Sequence, residues 1–244
     1  SNYFLSFLTY YSTYGSIPPT PKMLIDDHLC WNSPTTQGGR NNEFINILLF
    51  LRDLPLKEIN DREFFFQHLK QDINLFSFLT QEYTILPILI SSLSYTKSST
   101  EKPLILEIIF TICSSSEISK ETYEKVIIPT ITPLFADKDR NLRIHLLKNI
   151  DLLIDHYDTK TVNDNIFPHV VLGLNDTYSA MKSSTIISMV PLSPKLRPDH
   201  HKQLLRELKK LQLNDPDNSI RCNSVICITK ISDTIEEGIR QQTL

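Results

Sequence analysis

The sequence predicts an all-α solenoid of stacked antiparallel helix pairs, and three observations carry that prediction. The first is a spacing. The strings "LFADKDRNLRIHLL", "LNDTYSAMKSSTII" and "LNDPDNSIRCNSVI" each set a turn Asp six residues before a basic residue. These are Asp137 and Arg143, Asp176 and Lys182, and Asp215 and Arg221, with the Asp residues 39 apart each time. The second is that apolar positions superimpose at the same interval. Phe135, Leu174 and Leu213 form one column, Leu147, Ile186 and Val225 a second, Ile150, Met189 and Ile228 a third, and Leu153, Leu192 and Ile231 a fourth. Positions three or four apart on each second helix make one buried stripe. The third is composition: 5 Gly among 244 residues leaves few left-handed turns. A two-helix unit recurring every ~40 residues is the HEAT-type solenoid.

Residues 2–14 read as a short aromatic-rich helix, closed by Gly15 and "IPPTP". "PKMLIDDHL" is a second short helical stretch, and "NSPTTQGG" (32–39) is the strongest linker signal in the chain. Longer amphipathic helices follow. "NNEFINILLFLRDLPL" gives one and "NDREFFFQHLKQDINLF" the next, with Asn60 as N-cap and Glu63 three residues on. These two form a degenerate layer over 41–84 that caps the stack, as atypical terminal repeats do.

Repeats are expected over 85–126, 127–165, 166–203 and 204–244. The first helices "ILPILISSL", "IIPTITPLF" and "IFPHVVLGL" carry Pro87, Pro129 and Pro168. A first turn tolerates Pro because its missing N–H would be unpaired there anyway. The unit from 85 to 118 is looser: its turn, "SYTKSSTEKP", is longer and lacks the Asp/basic pair. Asp137, Arg143, Asp176, Lys182, Asp215 and Arg221 are expected to be framework. Each Asp would accept backbone N–H groups at the start of a second helix, and each basic residue would reach an Asp in its own or a neighbouring layer.

The net charge of −3 advertises neither nucleic acid nor membrane as a global partner. Cys30, Cys113, Cys222 and Cys227 lack zinc-ligand spacing and read as small hydrophobes in a reducing compartment. No apolar run reaches the ~18–20 residues of a membrane span. The opening residues lack the basic flank and cleavage site of a signal peptide. They also lack an initiator Met, so the sequence is expected to be a piece of a longer protein.

The chemistry-bearing motifs are missing. There is no G-x-x-x-x-G-K loop, no H-R-D or D-F-G triplet and no G-x-S-x-G elbow. His200 and His201 are adjacent, so on a helix they diverge by about 100° and cannot grip one metal as an i, i+4 pair can. They read as an exposed helix start, and His145 and His169 as packing at layer boundaries. "IDDH" (25–28) has no partner motif. Catalytic, cofactor and metal assignments are therefore all none. One charged feature stands out: Lys202, Arg206, Lys209 and Lys210 fall on one face of "HHKQLLRELKKLQL", with Lys195 and Arg197 just upstream. They are the candidate contact for a partner protein or for RNA phosphates. No aromatics interleave with them, so base stacking is not indicated.

Beyond the repeat, particular strings resemble one family. "NIFPHVVLGLNDTYSAMKSSTIISMVPLSPKL" (165–196), "NSIRCNSVICITKI" (218–231) and "LFADKDRNLRIHLLKNID" (134–151) are similar to the HEAT region of the SCY-like, or N-terminal kinase-like, pseudokinases. "NNEFINILLFLRDLPLKEINDREFFFQHL" (41–69) resembles the segment joining that family's kinase-like domain to its solenoid. The resemblance implies that residues 1–40 are the end of a kinase-like C-lobe and its linker. It implies a non-enzymatic scaffold, with coat and trafficking components (COPI, Golgi to ER) as protein partners. A second reading from the same family is a carrier for tRNA and its nuclear export machinery, using the basic helix. Either role implies a cytoplasmic protein, peripheral to Golgi or nuclear pore. The family's basic C-terminal coat-binding tail has no counterpart in the closing "IRQQTL".

Overall fold

A computed structural model describes residues 47–96, 98–115 and 118–243. The kinase-lobe and linker assignment to 1–40 lies outside the described residues, as do Cys30 and "IDDH". Every regular element among the described residues is helical, so the all-α helical-repeat class holds. The described residues divide into two compact units, one up to residue 118 and one from residue 119.

In the first unit, helical residues 47–52 are followed by α1 (Ile59–Asp72), α2 (78–95) and α3 (Glu101–Ser115). Helices α1 and α2 both pack on α3. Asn60 is not the N-cap of α1; Glu58 holds that place, without a side-chain bond. Helices α1 and α3 are tied by a buried ion pair. Arg62 Nε and Nη2 donate to the Glu101 carboxylate at 2.6 and 3.1 Å, and the Thr96 hydroxyl donates to the same group. With Glu101 only 1% exposed, a carboxylate there requires that full set of donors.

The second unit is a run of helix pairs. Its first helices are α4 (120–136), α7 (159–175) and α9 (Pro198–Asn214); its second helices are α5 (Arg140–Lys148) with its continuation α6 (Asp151–Ile154), α8 (Ser179–Leu192) and α10 (Asn218–Ile231). A last helix, α11, spans Glu237–Thr243. Second helices pack on second helices (α5 on α8, α8 on α10), while α4 meets α7 and α7 meets α9. Phe135, Leu147, Ile150, Leu153, Leu174, Ile186, Met189, Leu192, Ile228 and Ile231 are all buried, so the superimposed columns are the core except at Leu213 and Val225, which are exposed in the last layer. Burying each such side chain contributes about 1.5–3 kcal/mol. The second helix at 140–154 is broken at Asn149, whose side-chain amide donates to the His145 carbonyl. The same column holds Ser188 and Cys227 in α8 and α10, which run unbroken.

The first helices begin earlier than the prolines indicate. Ser77, Ser119 and Asp158 are the N-caps, accepting the N–H of Thr80, Thr122 and Thr161 at 3.3, 3.2 and 2.6 Å. Each Pro therefore sits well inside its helix. Ending two residues before it runs a five-residue π-turn: Gln81–Ile85, Tyr123–Ile127 and Val162–Ile166. The N–H of the residue preceding each Pro reaches back five positions, to the carbonyls of Gln81, Tyr123 and Val162. The physical cause is steric. In a regular α-helix the Pro ring strikes the carbonyl four residues back, and widening the turn by one residue moves that carbonyl aside. Helix α9 is the internal control: Glu207 replaces Pro in this column, and all 17 residues are α-helical.

At the last turn of α7, Gly173 lets the two helices of its layer approach closely. A Cβ there would stand 2.2 Å from the buried Thr185 hydroxyl oxygen of α8.

Candidate functional site: the turn ladder and the basic helix

Asp137, Asp176 and Asp215 each accept the backbone N–H two residues on, from Asp139, Tyr178 and Asp217, at 2.9, 2.9 and 3.0 Å. These are Asx-turns. The helix caps proper are the next acidic residues. Asp139 accepts from the N–H of Asn141 and Leu142, and Asp217 from that of Ser219. The D-x-D spacing in two of the three strings provides two carboxylates, one for the turn and one for the cap.

Two of the three basic residues, Arg143 and Lys182, reach forward into the following layer. Arg143 lies 3.8 Å from the Asp176 carboxylate, which Arg140 also approaches at 3.2 Å. Lys182 donates to Asp215 at 2.6 Å. Arg221 turns back instead, donating to the carbonyls of Asp215 at 2.8 Å and Pro216 at 3.4 Å, and to the Asn218 side chain. Burial pushes the Asp215 pKa up. The Lys182 hydrogen bond, the Asp217 N–H and the charges of Lys182 and Arg221 outweigh it and hold the carboxyl below its usual range.

The basic set divides on inspection. Lys195 is a framework residue: its ammonium donates to the carbonyls of Ile154 and Tyr157 at 2.5 and 2.6 Å, capping the end of the preceding second helix. Arg197 pairs with Asp164 at 2.9 Å. Lys210 lies 3.3 Å from the Asn175 side chain and 4.0 Å from Glu207. Lys202, Arg206 and Lys209 make no ion pair with any described residue. Lys202, Arg206 and Lys210 are exposed at i, i+4 and i+8, and Lys209 is half-buried beside them. The outward basic row is therefore narrower than the sequence cluster.

The histidines differ from expectation. His201 is buried, with Nε2 3.0 Å from the Ser193 carbonyl and 3.1 Å from its hydroxyl, and burial lowers its pKa. His200 is half-buried, stacked on Phe167 with ring centroids 4.4 Å apart. An exposed helix start thus describes neither. His169 is exposed rather than packed, and His145 is partly buried. Asn163, buried in the α7 π-turn, lies in no motif of the sequence. It donates to the Thr159 and Lys195 carbonyls at 2.7 Å each, and accepts from the Arg197 N–H at 2.9 Å and His200 Nδ1 at 2.7 Å. All four of its hydrogen-bonding positions are filled.

Among the described residues no three His, Cys, Asp or Glu side chains are grouped to hold a metal, and no helix is long and apolar enough to cross a membrane.

No protein-family model matches the chain. It is 35% identical over 203 residues to a Dictyostelium discoideum protein described as a probable inactive serine/threonine-protein kinase scy1, a match of 83% of this chain and 24% of that protein. It is 23% identical over 164 residues to the mouse protein-associating with the carboxyl-terminal domain of ezrin, covering 65% of this chain and 22% of that one. Human SCY1-like protein 2 matches at 23% over 126 residues, 50% of this chain and 14% of its own length. The chain thus spans about a quarter or less of these relatives. Among solved structures, the crystal structure of Cex1p superimposes with a TM-score of 0.65 at 22% identity, over 100% of this chain and 46% of that one, which shows a shared fold.

Proposed function

From the kinship of this chain with SCY1 and the SCY1-like inactive kinases, which places it in that family, we propose that it is a non-catalytic scaffold segment. It presents a helical-repeat surface to protein partners, with components of the COPI coat in Golgi-to-ER traffic as the leading class. The observation that carries this reading is how the polar groups are used. Asp176, Asp215, Lys182, Lys195, Asn163 and His201 are all committed to contacts inside or between layers. The stack is a rigid frame, and partners meet its outward rows. The relatives support the reading: one is named for its inactivity as a kinase, another for its association with a domain of ezrin. A cytoplasmic location, peripheral to the Golgi, follows from the role. The test is a titration of purified coat complex against the longest natural form of the protein. Saturable binding is expected, and its absence at micromolar concentrations would remove coat components from the reading.

A second reading is favoured by one specific observation, the row of Lys202, Arg206, Lys209 and Lys210 without strong internal partners. Such a row fits the phosphate backbone of tRNA, and would act in a nuclear export carrier. Fluorescence anisotropy with tRNA at low and physiological salt tests it. Affinity is expected to fall as salt rises, and to be lost when the four residues are changed to Glu. Binding that the quadruple variant keeps would exclude this helix as the contact.

A further inference from the structure

Charge is segregated between the two kinds of helix in the second unit. The sequence has no Asp or Glu between Asp139 and Asp151, between Asp176 and Asp199, or between Asp217 and Asp233. Those intervals contain α5, α8 and α10, the second helices that pack on one another. The first helices do carry carboxylates: Glu121 and Glu124 on α4, Asp164 on α7, Asp199 and Glu207 on α9. Their exposed rows are charged, with Lys120 and Glu124, Lys160 and Asp164, and Lys202 and Arg206 in turn. The outward row of the second helices is different. One of its columns, at the 39-residue interval, is Lys148, Ile187 and Ile226. All three are exposed, the isoleucines by 59% and 52%. The exposure of Ile187 is no end effect, because α8 is flanked by α5 on one side and α10 on the other. Half-buried Val190 and exposed Cys222 lie one turn from Ile187 and Ile226 on the same helices. Lys230, one turn beyond Ile226, is also exposed, and neither it nor Lys148 makes an ion pair with any described residue. Lys182 of α8 is held by Asp215.

We propose that this acid-free face is a docking surface for an acidic amphipathic helix of a partner protein. The apolar side chains of that helix rest on Ile187 and Ile226, and its carboxylates meet Lys148 and Lys230. The assignment deepens the scaffold reading and rests on it. Packed helices lie about 8–10 Å apart, and apolar residues two turns apart on a helix are separated by about 11 Å. One ligand helix laid across α8 and α10 therefore meets both isoleucines, and a similar further span brings it to Lys148 on α5. Other occupants fit less well. The phosphates of a nucleic acid offer nothing to two exposed isoleucines. An anionic membrane surface calls for clusters of about 4–8 cations, and Lys148 and Lys230 fall short of that. A second copy meeting this face about a two-fold axis would set the same cationic, acid-free surface against itself.

Fluorescence anisotropy tests this with a labelled helical peptide of about 18 residues, bearing Leu along one face and Glu and Ala elsewhere. One counterpart carries Lys for every Glu, and another Ser for every Leu. Saturable binding to the full chain is expected for the Glu–Leu peptide alone. Ile187→Ser with Ile226→Ser, and Lys148→Glu with Lys230→Glu, should each weaken it at least about tenfold. Lys202→Glu with Arg206→Glu, on α9, should leave it unchanged. The substituted side chains are all exposed, and circular dichroism checks that each variant is folded. Equal binding of the Glu and Lys peptides overturns the proposal, as does binding that the α8 and α10 isoleucine variant keeps. Sedimentation that shows self-association lost with Ile187→Ser and Ile226→Ser overturns it in favour of a second copy. Retention on phosphatidylserine vesicles with the same dependence overturns it in favour of a membrane. If the Glu–Leu peptide fails with a chain that binds purified coat complex, this surface is excluded and the scaffold reading stands. Failure of both overturns both.

Discussion

At the scale of single residues, two positions show how tightly the layers are fitted. Gly173 is in a helix, where Ala would ordinarily be favoured by about 1 kcal/mol. Here the added methyl group would meet the Thr185 hydroxyl, which is itself bonded to the Met181 carbonyl at 2.8 Å. Overpacking of this kind costs about 1–3 kcal/mol, so Gly173→Ala is expected to destabilise the second unit, read as a lower urea midpoint. A midpoint equal to or above the parent's would mean that α7 and α8 can part without loss. Lys182→Met should also destabilise, by about 1–3 kcal/mol, because it removes a charged hydrogen-bond partner from a buried carboxylate. That variant also changes the response to acid. The folded-state pKa of Asp215 is depressed, so its contribution is present above the ordinary carboxylate range and lost as pH falls through the folded value. Without Lys182, burial remains and the depression shrinks. Acid unfolding followed by circular dichroism should then begin at a higher pH than in the parent.

At the scale of the element, the π-turns decide how a Pro can sit in mid-helix. Glu207→Pro would place Pro in the matching column of α9, which has no widened turn, and should cost about 3 kcal/mol. Pro168→Ala should change stability by less than about 1 kcal/mol, since the widened turn of α7 is also held by Asn163. Equal effects from the two substitutions would show that the π-turn plays no part in accommodating Pro. The elements themselves were legible in the sequence, because a strict 39-residue spacing of Asp and apolar columns reports on packing directly. Their starts were not. Pro in a helix suggests a first turn, whereas Ser77, Ser119 and Asp158 cap the helices ten residues before Pro87, Pro129 and Pro168. Periodicity locates a buried stripe but says nothing about a helix that widens and continues. Lys195 likewise looked like part of a surface cluster. Its role as a cap for Ile154 and Tyr157 depends on a contact about 40 residues back, beyond any local pattern.

At the scale of the whole molecule, the candidate surface narrows to a basic row on α9 set against a frame in which Lys182, Asp215, Asp176 and Lys195 are held in contacts between layers. Changing Lys202, Arg206, Lys209 or Lys210 singly to Glu is therefore expected to leave the unfolding free energy from urea titration within about 0.5 kcal/mol of the parent, as for surface substitutions generally. Loss of stability larger than that would make the row part of the frame. The forward direction of the ladder has a consequence for how such a chain is made. A ribosome delivers the layers in order, amino end first. When Asp176 emerges, Arg143 has already been synthesised, and Lys182 is likewise waiting when Asp215 emerges. The most recent cation can meanwhile rest on carbonyls of its own turn, as Arg221 does. Each new carboxylate finds its partner in place, so the nascent chain can set one layer at a time without ever stranding a charge.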